Sequence, residues 1–112
     1  MAYDEDLANR IRELVATETG VTEKKMFGGL AFLVGGNMAI AASGQGGLLV
    51  RVDPEESDEL VRTTGAEVAV MRGRPMDGWL RVSAENVRTK RQLQKWVTLS
   101  STYASSLPKK RK

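Results

Sequence analysis

The sequence contains neither cysteine nor histidine. Without cysteine there is no disulfide, no thiolate nucleophile and no cysteine-ligated zinc or iron–sulfur site. Without histidine there is no Ser-His-Asp catalysis, no histidine-ligated zinc and no imidazole pH switch. Carboxylates, lysines, hydroxyls and the backbone remain for chemistry, together with an oxygen-ligated metal such as magnesium. We therefore expect a protein without a cofactor or a small-molecule substrate that is not an enzyme, and a small enzyme is the remote alternative.

Long apolar stretches are also missing. No uninterrupted run approaches the roughly 20 residues that span a bilayer. The N-terminus is acidic at Asp4, Glu5 and Asp6, where a signal peptide is basic. We expect a cytoplasmic protein that does not bind membranes. The 112 residues suit one domain, which we predict over residues 1–107, with a disordered basic tail over 108–112.

The charges are segregated along the chain. The formal net charge is +3, but residues 109–112 are all cationic, and the rest carries 13 positive and 14 negative residues. Residues 53–59 hold five acids and no base, whereas residues 72–95 hold seven bases and two acids. This predicts a basic zone in the second half of the fold.

The apolar spacing predicts helices at the start, middle and end of the chain. Leu7, Ile11, Leu14 and Val15 form one stripe of a helix over residues 4–18, with Asp4 as its N-cap and Gly20 as its stop. A second helix runs from Asp53, with Pro54 in its first turn, to Gly65. A third begins at Thr89 and stops at Pro108.

Glycine pairs interrupt the apolar stretch KKMFGGLAFLVGGNM, residues 24–38. Neither phosphate-loop pattern, GxxxxGK[ST] or GxGxxG, occurs in the chain. We therefore predict one strand over Met26–Val34 and a hairpin turn at Gly35-Gly36. The pair Gly28-Gly29 inside that strand indicates a bulge or a close approach of another backbone or ring.

Four further strands follow from the same reasoning, over residues 38–42, 48–52, 68–71 and 79–83, with a loop over residues 72–78. The predicted order is α-β-β-β-α-β-β-α. This order indicates the α+β class, a two-layer α/β sandwich in which three helices pack on an antiparallel sheet of about five strands.

Three stretches follow one another along the chain, KKMFGGLAFLVGGNMAIA, MRGRPMDGWLRV and RTKRQLQKWVTLS. In these stretches, and over residues 3–107, the chain resembles the N-terminal domain of the TfoX/Sxy competence regulators. The resemblance implies a secretion-chaperone-like fold that often forms homodimers. It also implies regulation of DNA uptake or transcription by protein contact, without a cofactor or catalytic residues. Longer members carry a second, C-terminal domain, so this chain resembles a stand-alone copy.

The basic zone supplies candidate residues for binding a protein partner or an anion. Trp79 lies on the same strand face as Arg81 and offers a ring on which a base could stack. The alternatives are a nucleic-acid-binding face from Arg72 to Lys95 and a merely solvated face. The candidates are Arg72, Arg74, Trp79, Arg81, Arg88 and Arg91.

The loop over residues 72–78 holds Arg72 and Arg74 between glycines and a proline, and forked guanidiniums suit carboxylate or phosphate. These arginines either bind a partner or pair with the acids of residues 53–59. Those acids could in turn hold magnesium, but acids are favoured at a helix start in any case.

The strand over Met26–Val34 is apolar on both faces, which indicates a homodimer contact. Its candidate residues are Met26, Phe27, Leu30 and Phe32. The sequence thus predicts a noncatalytic regulatory module that binds a protein partner and forms a homodimer, with nucleic-acid binding as the alternative function.

Overall fold

The computed structural model describes residues 4–16, 20–26, 29–44, 46–71 and 73–107. These residues form three α-helices, α1 (Glu5–Leu14), α2 (Pro54–Thr64) and α3 (Lys90–Ser106), and one 3₁₀ helix (Ala84–Val87). They also form six strands, β1 (Val21–Met26), β2 (Gly29–Val34), β3 (Asn37–Ala42), β4 (Leu48–Arg51), β5 (Glu67–Met71) and β6 (Arg74–Val82). The strands make one antiparallel sheet in the order β1-β2-β3-β4-β6-β5.

The predicted α+β class is confirmed, and the described residues contain six strands where about five were predicted. The additional strand is β1, whose sequence VTEKKM has no apolar alternation because it lies at the sheet edge with Thr22 to Lys25 exposed. The single strand predicted over Met26–Val34 is wrong. Met26 ends β1 and pairs with Gly29, the first residue of β2.

The helix signals are confirmed by their caps. The Leu7 N–H donates to Asp4 Oδ1 at 3.2 Å, and Asp53 and Thr89 cap α2 and α3 in the same manner. Gly65 ends α2 with a left-handed φ of 79°. The predicted first helix is too long, because α1 ends at Leu14 and the next residue, Val15, is its C-cap with a φ of −98° and a ψ of 4°.

All three helices pack on one face of the sheet. Their apolar residues, such as Ile11, Leu60 and Trp96, form one core with alternate residues of the strands. On the opposite face lies a smaller buried cluster of Ala31, Met38, Ala41, Leu49 and Ala69, with half-buried Leu33 and Trp79 against it. The predicted two-layer arrangement is thus confirmed.

The two glycine pairs have different structural roles. Gly35 and Gly36 have φ of 59° and 85° between the paired residues Val34 and Asn37, as a type I′ hairpin turn requires. At Gly29 a Cβ would lie 2.1 Å from the Ala42 carbonyl oxygen, so the predicted close backbone approach is confirmed there. Gly28 lies outside the described residues.

The loop predicted over residues 72–78 is wrong, because β6 already begins at Arg74. Arg74 pairs with Met71 and Pro75 with Val70. Beyond these pairs the register between β5 and β6 shifts, because β6 contains extra residues there. A proline is tolerated at position 75 because β4 ends at the Arg51–Trp79 pair, so β6 has only β5 beside it there.

Candidate functional site

The residues of the predicted basic zone do not form one face. Leu80 and Val82 point into the core under the helices, so Trp79 and Arg81, which alternate with them on β6, lie on the opposite face of the sheet. Arg74 is exposed at the start of β6, and four further cations belong to the helical layer, where they are exposed. These are Arg88, after the 3₁₀ helix, and Lys90, Arg91 and Lys95 of α3. Arg72 lies outside the described residues.

Pairing of the arginines of residues 72–78 with the acids of residues 53–59, one of the two predicted alternatives, is not seen in the described part of the chain. Arg74 is exposed, and the ion pair found among the described residues joins Arg12 and Glu23, not Arg74 and an acid of α2. The acids at the start of α2 instead stabilise the helix, since Asp53 Oδ1 accepts from the Glu55 N–H at 2.9 Å. No three acids of the described residues come together as a metal site.

The ion pair between Arg12 and Glu23 joins α1 to the edge strand β1. Arg12 Nη2 donates to Glu23 Oε1 at 2.8 Å and Arg12 Nε donates to Oε2 at 2.5 Å. These hydrogen bonds from Arg12 lower the pKa of Glu23 below its ordinary value. Both side chains are more than a third exposed, at 45% and 36%, so the pair contributes less than about 1 kcal/mol.

Two of the residues predicted for the dimer contact are buried inside the chain itself. Leu30 and Phe32 are only 5% and 1% exposed, and both belong to the core beneath the helices. A second chain could therefore reach neither side chain in this fold. Phe27 lies outside the described residues, and Met26 is described only as the end of β1.

An arginine that the sequence analysis did not single out lies against two aromatic rings. The guanidinium carbon of Arg51 is 5.3 Å from the centre of the Trp79 ring and 5.7 Å from the centre of the Tyr103 ring. Arg51 ends β4 and pairs with Trp79 on β6, while Tyr103 comes from the last turns of α3. All three side chains are half-buried. We call these three residues the Arg51 cluster; cation–π attraction stabilises it.

A groove adjoins this cluster at Tyr103. It has a volume of about 250 Å³ and lies between the start of α2 and the second half of α3. Its lining combines carboxylates, hydroxyls and apolar atoms, from Val52, Asp53, Glu56, Thr98, Leu99, Thr102, Tyr103 and Ser106. We call it the α2–α3 groove.

A comparison with protein families decides which family the chain belongs to. The model of the TfoX N-terminal domain matches residues 13–104, which is well over half of the chain. This chain belongs to the TfoX N-terminal domain family. No curated protein matches it, and no solved structure does. The secretion-chaperone-like shape expected from the resemblance therefore stays a prediction.

The match to the TfoX N-terminal domain includes the whole Arg51 cluster and all of the α2–α3 groove except Ser106. In this TfoX N-terminal domain the sequence pattern did place Arg51 and Trp79 on strands. It contained no signal that β4 and β6 are neighbours, because β5 and α2 separate them along the chain.

None of the helices in the described residues is long and apolar enough to cross a membrane.

Proposed function

We propose that this chain is a noncatalytic regulatory module that acts in the cytoplasm by binding a protein partner. The supporting observation is the Arg51 cluster. Tryptophan, tyrosine and arginine are the residue types enriched among the hot spots of protein interfaces. In the cluster the arginine contacts both a tryptophan and a tyrosine ring, and all three side chains are half-buried. Because these contacts already order the side chains, less side-chain entropy is lost on binding.

The regulatory part of this proposal comes from the family. The TfoX/Sxy regulators that the chain resembles act in competence and transcription, and membership in the TfoX N-terminal domain family supports a role of that kind. The Arg51 cluster supports contact with a protein rather than turnover of a substrate.

Affinity capture from the source cells tests the proposal, with proteins quantified for wild type, Arg51→Ala and Tyr103→Ala. Truncating a hot-spot residue costs about 2 kcal/mol or more, so a true partner should bind about thirtyfold more weakly to both variants. Arg62→Ala is the matched control, because Arg62 is an exposed arginine of α2 outside both the cluster and the basic zone. Thermal melting must find all variants folded.

A partner that is lost equally with Arg62→Ala would indicate general charge attraction. A partner retained by both cluster variants would contradict the assignment of the contact to the Arg51 cluster.

Nucleic-acid binding is a second candidate function, and one observation favours it. Arg51, Trp79 and Arg81 lie on the same face of two paired strands, so a ring and two guanidiniums are offered together. Affinity for single-stranded DNA or RNA should then fall steeply with salt and survive deletion of residues 109–112. Binding that disappears with those four residues would exclude the folded face as the site.

We also propose that the chain forms a homodimer, whose contacts do not include the buried Leu30 and Phe32. Light scattering at micromolar concentration should give about twice the chain mass of 12.3 kDa. A mass equal to one chain would reject the dimer and leave the partner-binding proposal intact.

A further inference from the structure

The α2–α3 groove carries negative charge on one wall. Among the described residues, Asp53 and Glu56 line it, whereas no lysine or arginine does. Glu55, Asp58 and Glu59 lie on the same helix and are exposed. Arg51 contacts the Tyr103 ring without lining the groove, so within the described part of the chain the carboxylates around the groove outnumber this neighbouring cation. The groove therefore favours a cationic guest.

The opposite wall offers hydrogen-bond acceptors. The Ser106 hydroxyl donates its proton to the Tyr103 carbonyl at 2.6 Å, which leaves its oxygen lone pairs as acceptors. Thr98 Oγ1 already accepts one hydrogen bond from Gln94 Nε2 at 3.1 Å and has a second lone pair. Acceptors on both walls suit a group that only donates, and ammonium and guanidinium groups have several donors and no acceptor.

Apolar atoms complete the groove. Val52 is buried, and Leu99 and the Tyr103 ring are half-buried. The long aliphatic stems of lysine and arginine lie well on such surfaces while their charged ends stay at the polar rim. A simple metal cation would leave this apolar part unused.

We propose that the α2–α3 groove binds a lysine or arginine side chain from a short segment of the protein partner, with the stem on Leu99 and Tyr103 and the charged end between Glu56 and Thr98. This inference rests on the proposed function, because it takes the partner to be a protein, and it adds the chemistry of the segment that this partner presents.

The chain contains an internal comparison for this inference. A second groove of about 180 Å³ lies between the other ends of the same two helices, lined by Thr63, Thr64, Asn86, Gln92, Lys95 and Trp96. It has a lysine and no carboxylate, so a basic side chain should avoid it. Binding driven by the helix pair in general would not distinguish the two grooves.

The test is an NMR titration of the ¹⁵N-labelled full chain at low salt with the peptide acetyl-Ala-Leu-Lys-Leu-Ala-amide. The same peptide with glutamine in place of lysine is the ligand control. Glu56→Gln removes a carboxylate of the groove, and Glu59→Gln removes the same charge from an exposed position of α2 outside it. Both changes are conservative at exposed sites, so the variants should fold.

We expect saturable shifts at the groove residues, such as Glu56, Thr98 and Thr102, and none around Lys95. Since an exposed ion pair contributes up to about 1 kcal/mol, Glu56→Gln should weaken the lysine peptide about threefold to fivefold. Glu59→Gln should change its affinity by less than about 1.5-fold.

Equal losses in the two variants, equal binding of the glutamine peptide, shifts centred on Lys95, or no saturable shifts would each overturn the inference. Tyr103 belongs to both the groove and the Arg51 cluster, whereas Arg51 does not line the groove, so Arg51 is the residue that separates the two assignments. If partner capture still depends on Arg51, the proposed function is supported and only the assignment of the groove is rejected.

Discussion

Replacing Gly29 with alanine tests whether close backbone packing, rather than a turn conformation, requires glycine at this position. The added Cβ would lie 2.1 Å from the Ala42 carbonyl oxygen and 3.0 Å from the Gly44 nitrogen. Since carbon–oxygen contacts normally begin at about 3.3 Å, the Ala42 oxygen must move by about 1.2 Å. Both neighbours are backbone atoms, so no side-chain rotation can relieve the clash.

The movement would disturb the ladder between β2 and β3, in which Leu30 pairs with Ala42. Overpacking of a well-packed site costs about 1–3 kcal/mol, and a weakened ladder hydrogen bond adds up to about 1 kcal/mol. We therefore expect Gly29→Ala to lower the free energy of unfolding by about 3 kcal/mol. This is a large part of the roughly 5–15 kcal/mol that is typical of single domains.

Urea unfolding followed by circular dichroism measures this loss. With a slope of about 2 kcal/mol per molar urea, the midpoint should fall by about 1.5 M. Gly73→Ala is the matched control, because Gly73 has a φ of 76° but no heavy atom within 4 Å of the position that an added Cβ would take. It carries only the left-handed backbone cost of about 1 kcal/mol.

A Gly29→Ala midpoint within about 0.3 M of wild type, or equal to that of Gly73→Ala, would refute the steric explanation. The strands would then have room to separate at no cost, and another reason for glycine at this position would be needed.

Two further predictions concern stability. Because Arg12 lowers the pKa of Glu23, the pair stabilises the fold above the ordinary pKa of a glutamate and loses this contribution as the pH falls through the lowered pKa. The difference in unfolding free energy between wild type and Glu23→Gln should therefore be below about 1 kcal/mol at about pH 7. It should shrink as the pH falls through the lowered pKa of Glu23, and a difference that grows with acid would contradict this. Thr89→Ala should cost about 1 kcal/mol in urea unfolding, because Thr89 Oγ1 accepts from the Gln92 N–H, while Thr89→Ser should be nearly neutral; equal losses in both variants would argue against the cap.

Local signals in the sequence were enough to predict the three helices and one hairpin turn. Asp4, Asp53 and Thr89 act as caps, and Gly35-Gly36 turns the chain, because each role depends on residues within one or two turns of the position. The apolar stripe of α1 and the alternation in β4 likewise report burial on one face.

The errors occur where distant pairing outweighs local preference. β1 carries polar residues because it is an edge strand, and β6 continues through Arg74 and Pro75 because Val70 and Met71 pair with them. Neither pairing partner is visible in a local window. Within the apolar stretch that suggested a dimer strand, β2 is apolar on both faces because Leu30 and Phe32 lie in the core beneath the helices and Ala31 and Leu33 lie in the smaller cluster opposite.

The sequence by itself determined the family, the α+β class and the residue types that are available for binding, since these depend on composition, motifs and local spacing. Only the tertiary structure decided which of those residues meet. The sheet separates Trp79 from the cations of the helical layer, and Trp79 shares Arg51 with Tyr103, which comes from a distant segment. The physical reason is that strand order and helix packing arise from non-local contacts, and these contacts bring the Arg51 cluster and the α2–α3 groove together.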